Sequence, residues 1–323
     1  MKEDLIMLGD LIRRGLKMYL SDKMAVFLSV LSPLIILFLY LMFLGDIQYN
    51  SVMDTLDKLP IEVSNDAVHA FIDGWMLAGV LAVSCITVSF CAQYIMINDR
   101  ETGAVMDMLT SPIKRSVLSV SYFVVNFIIT TVVVGIIAVI ALIYLAISGW
   151  YLNGADVGKL IGILLLSVLS ASLFTTLISM FFRTQSAHGG ASGILSAAIG
   201  FFIGAYMPIA VFPKAIQYFV LFMPGTYSAG VLRNILMRGA LDSMIENVPA
   251  AAVETMRSGF FTDFSMDMDA FGTSIYESDM WLIFACSVIL FIILYVVNQA
   301  VRTKTGTLFS APKPRKKVKT NKK

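Results

Sequence analysis

Hydrophobic residues in this chain gather into six long windows almost free of charge: Met24–Leu44, Trp75–Ile97, Leu118–Ile147, Leu160–Phe182, Ala191–Ala210 and Met280–Ala300. Each holds at least 20 residues, and 20 residues rising 1.5 Å apiece match a hydrocarbon core ~30 Å thick. The pattern predicts an all-α polytopic membrane protein with six transmembrane helices. Ahead of the first window, Leu5, Leu8, Ile12, Leu16 and Tyr19 recur at helical spacing, with Asp10, Arg13, Arg14 and Lys17 on the other side. That is an amphipathic helix suited to the headgroup plane, and the pattern leaves a plain anchor and a mechanical part both open.

Between the second and third windows, Val105, Met108 and Leu109 form a short apolar stripe that stops at Pro112. A short helix lying across one membrane face, or an ordinary loop, fits that stripe. The fifth window carries two rows of small residues at four-residue spacing, Gly189, Gly193 and Ala197, and Ser192, Ser196, Gly200 and Gly204. Such rows allow close helix packing, within one bundle or between subunits. The apolar run between Pro213 and Pro224 has only ten residues, too few to cross, which predicts a re-entrant or outer half-helix segment before the last span. Residues 240–279 are polar and acidic, with a helix expected near Pro249–Met256.

Composition agrees with the pattern: 58% of residues are hydrophobic and 14% charged, against roughly 25% charged in soluble domains. Charge then sets orientation. Eighteen of the 24 Lys and Arg fall in the N-terminal segment, the loops 98–117 and 183–190, and the tail after Ala300. Positive charge accumulates on the cytoplasmic side, so both termini are expected there, in a multi-pass plasma-membrane protein. The basic run Lys313-Pro-Arg-Lys-Lys-Val-Lys follows a span and reads as a topology signal touching anionic lipid, not nucleic acid. The N-terminal apolar segment is too long for a cleaved signal and is read as a mature span. Cys85, Cys91 and Cys286 all lie inside apolar windows and read as packing residues.

Chemistry is sparse. Two histidines, His69 and His188, fall on opposite expected sides, and no metal-ligand spacing, Gly-x-Ser-x-Gly elbow or His-Glu-x-x-His helix occurs. No catalytic or metal-binding residue is assigned. The six windows hold no ionisable residue of the kind that ion-coupled carriers use. Gly154 to Leu160 has neither the spacing nor the hydroxyl of a phosphate loop. Energy for active transport is therefore expected from a separate ATPase.

The order of these elements resembles the permease subunit of ABC type-2 transporters. The resemblance rests on Arg100-Glu101-Thr102-Gly103 with Leu109 and Ser111-Pro112, then Pro213, Gln217, Pro224, Tyr227 and Arg233. It covers roughly Leu5 to Leu236 and the last span. It implies a transmembrane domain over residues 1–300, with 240–279 as an extracytoplasmic insertion and 301–323 as a basic cytoplasmic tail. It implies that Arg100, Glu101, Thr102, Gly103, Leu109 and Pro112 couple to a P-loop ATPase subunit, which would carry ATP and Mg; no cofactor is expected in this chain. Pro213, Gln217, Pro224, Tyr227 and Arg233 would build outer half-helices that close a pathway shared with a second permease chain, identical or related. A bacterial cell membrane and export of a hydrophobic or amphipathic cargo (drug, peptide, lipid or glycolipid) follow from the same resemblance. Ala104 stands where the family commonly has a hydroxyl. Other classes remain open on sequence alone: a membrane sensor whose outer segment binds a ligand, and a lipid-acting enzyme.

Overall fold

The computed structural model describes residues 2–40, 42, 45–56, 63–246, 248, 250–270 and 273–305. The basic tail after Thr305 and the residues 57–62 of the first outer loop lie outside them. Among the described residues the chain forms thirteen α-helices, one 3-10 turn at Ile209–Val211 and a two-strand hairpin. In order these are α1 Lys2–Ser21, α2 Lys23–Leu39, α3 Gly45–Leu56, α4 Asn65–Ala92, α5 Tyr94–Thr102, α6 Ala104–Thr110, α7 Arg115–Ser148, α8 Gly154–Ser179 and α9 Gln185–Phe202. Then follow α10 Lys214–Val220, α11 Pro224–Ile245, α12 Ala250–Asp263, β1 Met268–Ala270, β2 Thr273–Ile275 and α13 Glu277–Thr305. Among the described residues four helical segments are long and apolar enough to cross a membrane, Asn65–Thr102, Arg115–Ser148, Gly154–Ser179 and Glu277–Val301; two bent pairs, α1 with α2 and α10 with α11, bring the total to as many as six if each pair is one span, and α9, which carries most of the Ala191–Ala210 window, is not in that count.

Helix α4 is the axis of the bundle. Almost every one of its side chains is buried, and α2, α3, α7, α8, α9 and α11 pack around it. Two glycines make the closest approaches feasible. A Cβ on Gly74 would sit 2.7 Å from the Leu236 carbonyl oxygen, and one on Gly79 would sit 2.9 Å from that of Ala205. Gly225 lies beside Ile86, so α11 runs antiparallel to α4. In lipid no hydrophobic drive favours helix over tail, and such backbone contact, with dispersion and interhelical hydrogen bonds, supplies the association. The bonds form one buried layer: Ser89 with Thr175 at 2.7 Å, Gln93 Nε2 to Thr176 at 2.6 Å, and Asn126 Nδ2 to Ser89 at 2.9 Å.

Three boundaries differ from the hydropathy windows. The second crossing begins ten residues before Trp75, at Asn65, and so takes in buried Asp73, whose carboxylate accepts from the Tyr144 hydroxyl at 3.3 Å and from Ser148. The windows stop at charge; the helix continues because partners on α7 satisfy it. The fifth helix starts at Gln185 and ends at Phe202, because Gly204 takes a left-handed φ of 68° and the Tyr206 ring folds back onto Gly200, 2.1 Å from where a Cβ would stand. The polar segment 240–279 lends its first residues to α11 and its last to α13. What remains is a cap of α12 and the antiparallel hairpin, which pairs Met268 with Ile275. Phe260 and Phe264 fasten the cap to Phe71 with ring centroids 5.5 and 5.0 Å apart.

Candidate functional site: a coupling face and a re-entrant hairpin

Three consecutive residues at the end of α5 reach three different parts of the bundle. Asp99 accepts both Arg14 terminal nitrogens, at 2.7 and 2.9 Å, and the Tyr122 hydroxyl at 2.8 Å, tying α5 to α1 and α7. Arg100 is buried and donates to the carbonyls of Ser179, Met180 and Phe182 at 3.5, 3.4 and 3.4 Å. Those carbonyls lie at and just beyond the C-terminus of α8, where a cation is favoured. Glu101 accepts the Gln185 backbone N–H at 2.6 Å, completing the opposite logic at the start of α9. Gln185 reaches back to the Tyr94 carbonyl at 2.7 Å.

Beyond these three, the chain turns at Gly103, φ 83°, a left-handed position that glycine adopts without Cβ strain. Helix α6 follows at once. Val105 is buried and Leu109 packs against the core, while Met106 is exposed. Thr102 bonds its own helix through Asn98 at 2.8 Å, and Pro112 lies in the turn that ends α6. The expected short helix is therefore present, with Arg100, Glu101 and Gly103 gathered at its base.

The second set of residues builds one bent unit. Pro213 precedes the first turn of α10, and Gln217 donates to the Phe212 carbonyl at 2.8 Å. The chain bends through 90° between α10 and α11, and Pro224 opens α11, where its missing N–H costs nothing. Thr226 and Tyr227 hydroxyls close the bend onto the Val220 and Leu221 carbonyls, both at 2.7 Å. Arg233 stands apart, further along α11. It is fully buried and donates to the carbonyls of Gly204 and, at 3.4 Å, Ser265, with its guanidinium carbon 6.0 Å from the Trp75 ring centroid. It thus joins the break after α9 to the cap. Asn234 adds a 2.6 Å bond to the Met266 carbonyl, and Ser265 Oγ accepts the Ile209 N–H at 2.8 Å.

The four glycines of the two small-residue rows divide. Gly200 and Gly204 serve the fold-back, whereas a Cβ on Gly189 or Gly193 would meet nothing within 4 Å. Close helix contacts among the described residues include Gly15, Gly74, Gly79, Gly225 and Gly230 instead; lone glycines amid bulky residues are the sequence signal for them. Sequence reading also missed Arg14, Asp99 and Ser265. The first two were visible as charges flanking apolar stretches, but their pairing is 85 residues apart in sequence.

Among the described residues no group of three His, Cys, Asp or Glu side chains is placed to hold a metal ion. His69 stacks on Tyr49 at 4.2 Å and His188 on Phe90 at 4.7 Å, both packing arrangements.

Comparison with known families matches residues 8–237 to the ABC-2 type transporter family. The match spans most of the chain, and the protein belongs to that family, as its membrane permease component and not its ATPase. The matched range coincides with the Leu5–Leu236 extent over which the sequence resembles it. Permeases of this family work with ABC ATPase subunits, and this one is a multi-pass membrane protein. No curated protein sequence matches the chain.

Proposed function

We propose that this chain is one half of an exporter that moves a hydrophobic or amphipathic cargo on energy from a separate ATPase subunit seated on α6. The observation that carries the reading is the wiring of Asp99, Arg100 and Glu101. A push on α6 is delivered through bonds from α5 to α1, α7, α8 and α9 at once, the contiguous physical network that coupling between distant sites needs. The α10–α11 hairpin with Arg233 is the gate at the far end, and both termini lie on the ATPase side, where lysine and arginine concentrate. A second permease chain lies against the open Gly189–Gly193 ridge, where an added Cβ meets nothing within 4 Å among the described residues. The absence of fixed charge in the apolar windows favours an uncharged cargo surface.

The test uses the permease purified with its ATPase. Glu101→Ala and Gly103→Pro are expected to keep assembly and insertion but abolish the nucleotide-driven change in thiol accessibility of a cysteine placed at Gln217. Wild-type changes in both variants sink the coupling assignment.

A further inference from the structure

Where the cap meets α10 there is a cavity of about 220 Å³. Its apolar lining comes from Ile209, Leu221 and Met268, and its polar lining includes Thr262, Ser265 and Asp267. Lys214, Gln217 and Asp269 complete the polar lining, and an apolar patch beside placed polar groups suits a small molecule. The charges around it balance except at one atom group. Lys214 is committed to Asp269 at 3.1 Å, and Arg238 to Glu277 at 2.6 Å. The Asp267 backbone N–H donates to the Phe261 carbonyl at 3.0 Å, but its carboxylate lines the cavity with no hydrogen-bond or ion-pair partner among the described residues; Arg238 and Glu277 act on it only through space, with opposite sign. An uncompensated half-buried carboxylate is costly to keep and is stabilised by any cation that reaches it.

We propose that this cavity binds a small organic monocation, with its ammonium on Asp267 and its apolar part against Ile209, Leu221 and Met268. The volume excludes large cargo, and the single uncompensated charge selects a monocation over a divalent ion. Both walls belong to parts that Arg233 and Ser265 hold together, so an occupant bridges the re-entrant hairpin and the cap. The site stands whether or not the chain exports anything.

Phenethylammonium and its neutral counterpart phenethyl alcohol are the probes, titrated by calorimetry into the full chain in nanodiscs with empty nanodiscs as blank. Saturable binding of the ammonium is expected, about tenfold weaker for the alcohol and for Asp267→Asn, since a charge-assisted bond is lost in each. Lys214→Met should bind at least as tightly as wild type. Burial holds the Asp267 carboxyl up at about 6, so wild-type affinity should fall as pH drops from 8 to 5; the charged groups around it are Lys214 and Asp269, paired at 3.1 Å, and Arg238 and Glu277, paired at 2.6 Å. That titration carries the test should Asp267→Asn fail to fold. Equal binding of the two probes, equal binding by Asp267→Asn, or pH-independent affinity overturns the proposal.

Discussion

Arg14 and Asp99 face each other as a two-pronged ion pair, at 2.7 and 2.9 Å, with the carboxylate side chain only 1% exposed and the guanidinium 38%. The pair fixes the amphipathic α1 to the end of α5, just before the turn into α6. Removing one partner strands a buried carboxylate, so Arg14→Ala should destabilise the protein by about 2–3 kcal/mol, and Arg14→Ala with Asp99→Asn should recover part of that loss. Thermal unfolding of the three variants forms the cycle; a purely additive double mutant would show that the two do not interact.

Glycine placement gives a second contrast. At Gly74 a methyl group meets carbonyl oxygen that belongs to a packed helix and has nowhere to move. Gly74→Ala should therefore cost about 1–3 kcal/mol. Gly193→Ala meets open space and should be neutral or gain up to about 1 kcal/mol of helix propensity in the isolated chain. Gly193→Leu should leave that stability intact and weaken pairing of permease chains, read by light scattering or cross-linking.

Arg233 predicts a local rather than a global effect. Arg233→Met removes a desolvated cation, which offsets much of the cost of losing its two carbonyl bonds. Overall stability should change little, while amide exchange across residues 204–212 and 261–268 accelerates about tenfold as the cap loosens. Unchanged exchange would mean that the remaining contacts, the Phe260 and Phe264 rings with the Asn234, Ser265 and Lys214 bonds, hold the cap without Arg233.

A pH profile follows from Asp267. Its carboxyl is pushed by burial from 3.8 to about 6, so between those values the folded protein binds a proton that the unfolded chain has released. Stability contributed by this group is therefore present at low pH and lost as pH rises through about 6. Melting temperatures of wild type and Asp267→Asn should diverge from pH 4 to pH 6.5, the variant the more stable, and run parallel above.

Much of this architecture was legible because lipid imposes a coarse rule: backbone must be satisfied within helices, and charge must avoid the core. The amphipathic α1, the short α6 and the proline-bounded bend at Pro213–Pro224 follow from that rule. What it does not encode is pairing at long range. Asp73 falls just outside the Trp75–Ile97 window, and it is held inside the helix by Tyr144 and Ser148 from α7. The end of α9 at Phe202 depends on Tyr206 closing over Gly200, a contact no periodicity reports. Likewise Asp267 was one acid among many in the 240–279 segment, and only the neutral pairs around it single it out.

Helices α4 and α13 are both strongly apolar, yet 94% of the most apolar stretch of the Asn65–Thr102 segment is buried by protein and only 22% of that in Glu277–Val301. The second is an outrigger whose Leu282, Ile289, Ile293 and Val297 point away from the bundle. It also carries Cys286, exposed, while Cys85 is buried and Cys91 half-buried. The native chain therefore offers one accessible thiol on its lipid-facing strut. A fluorophore or nitroxide attached there would sample the acyl chains directly, and report membrane depth without any engineered cysteine.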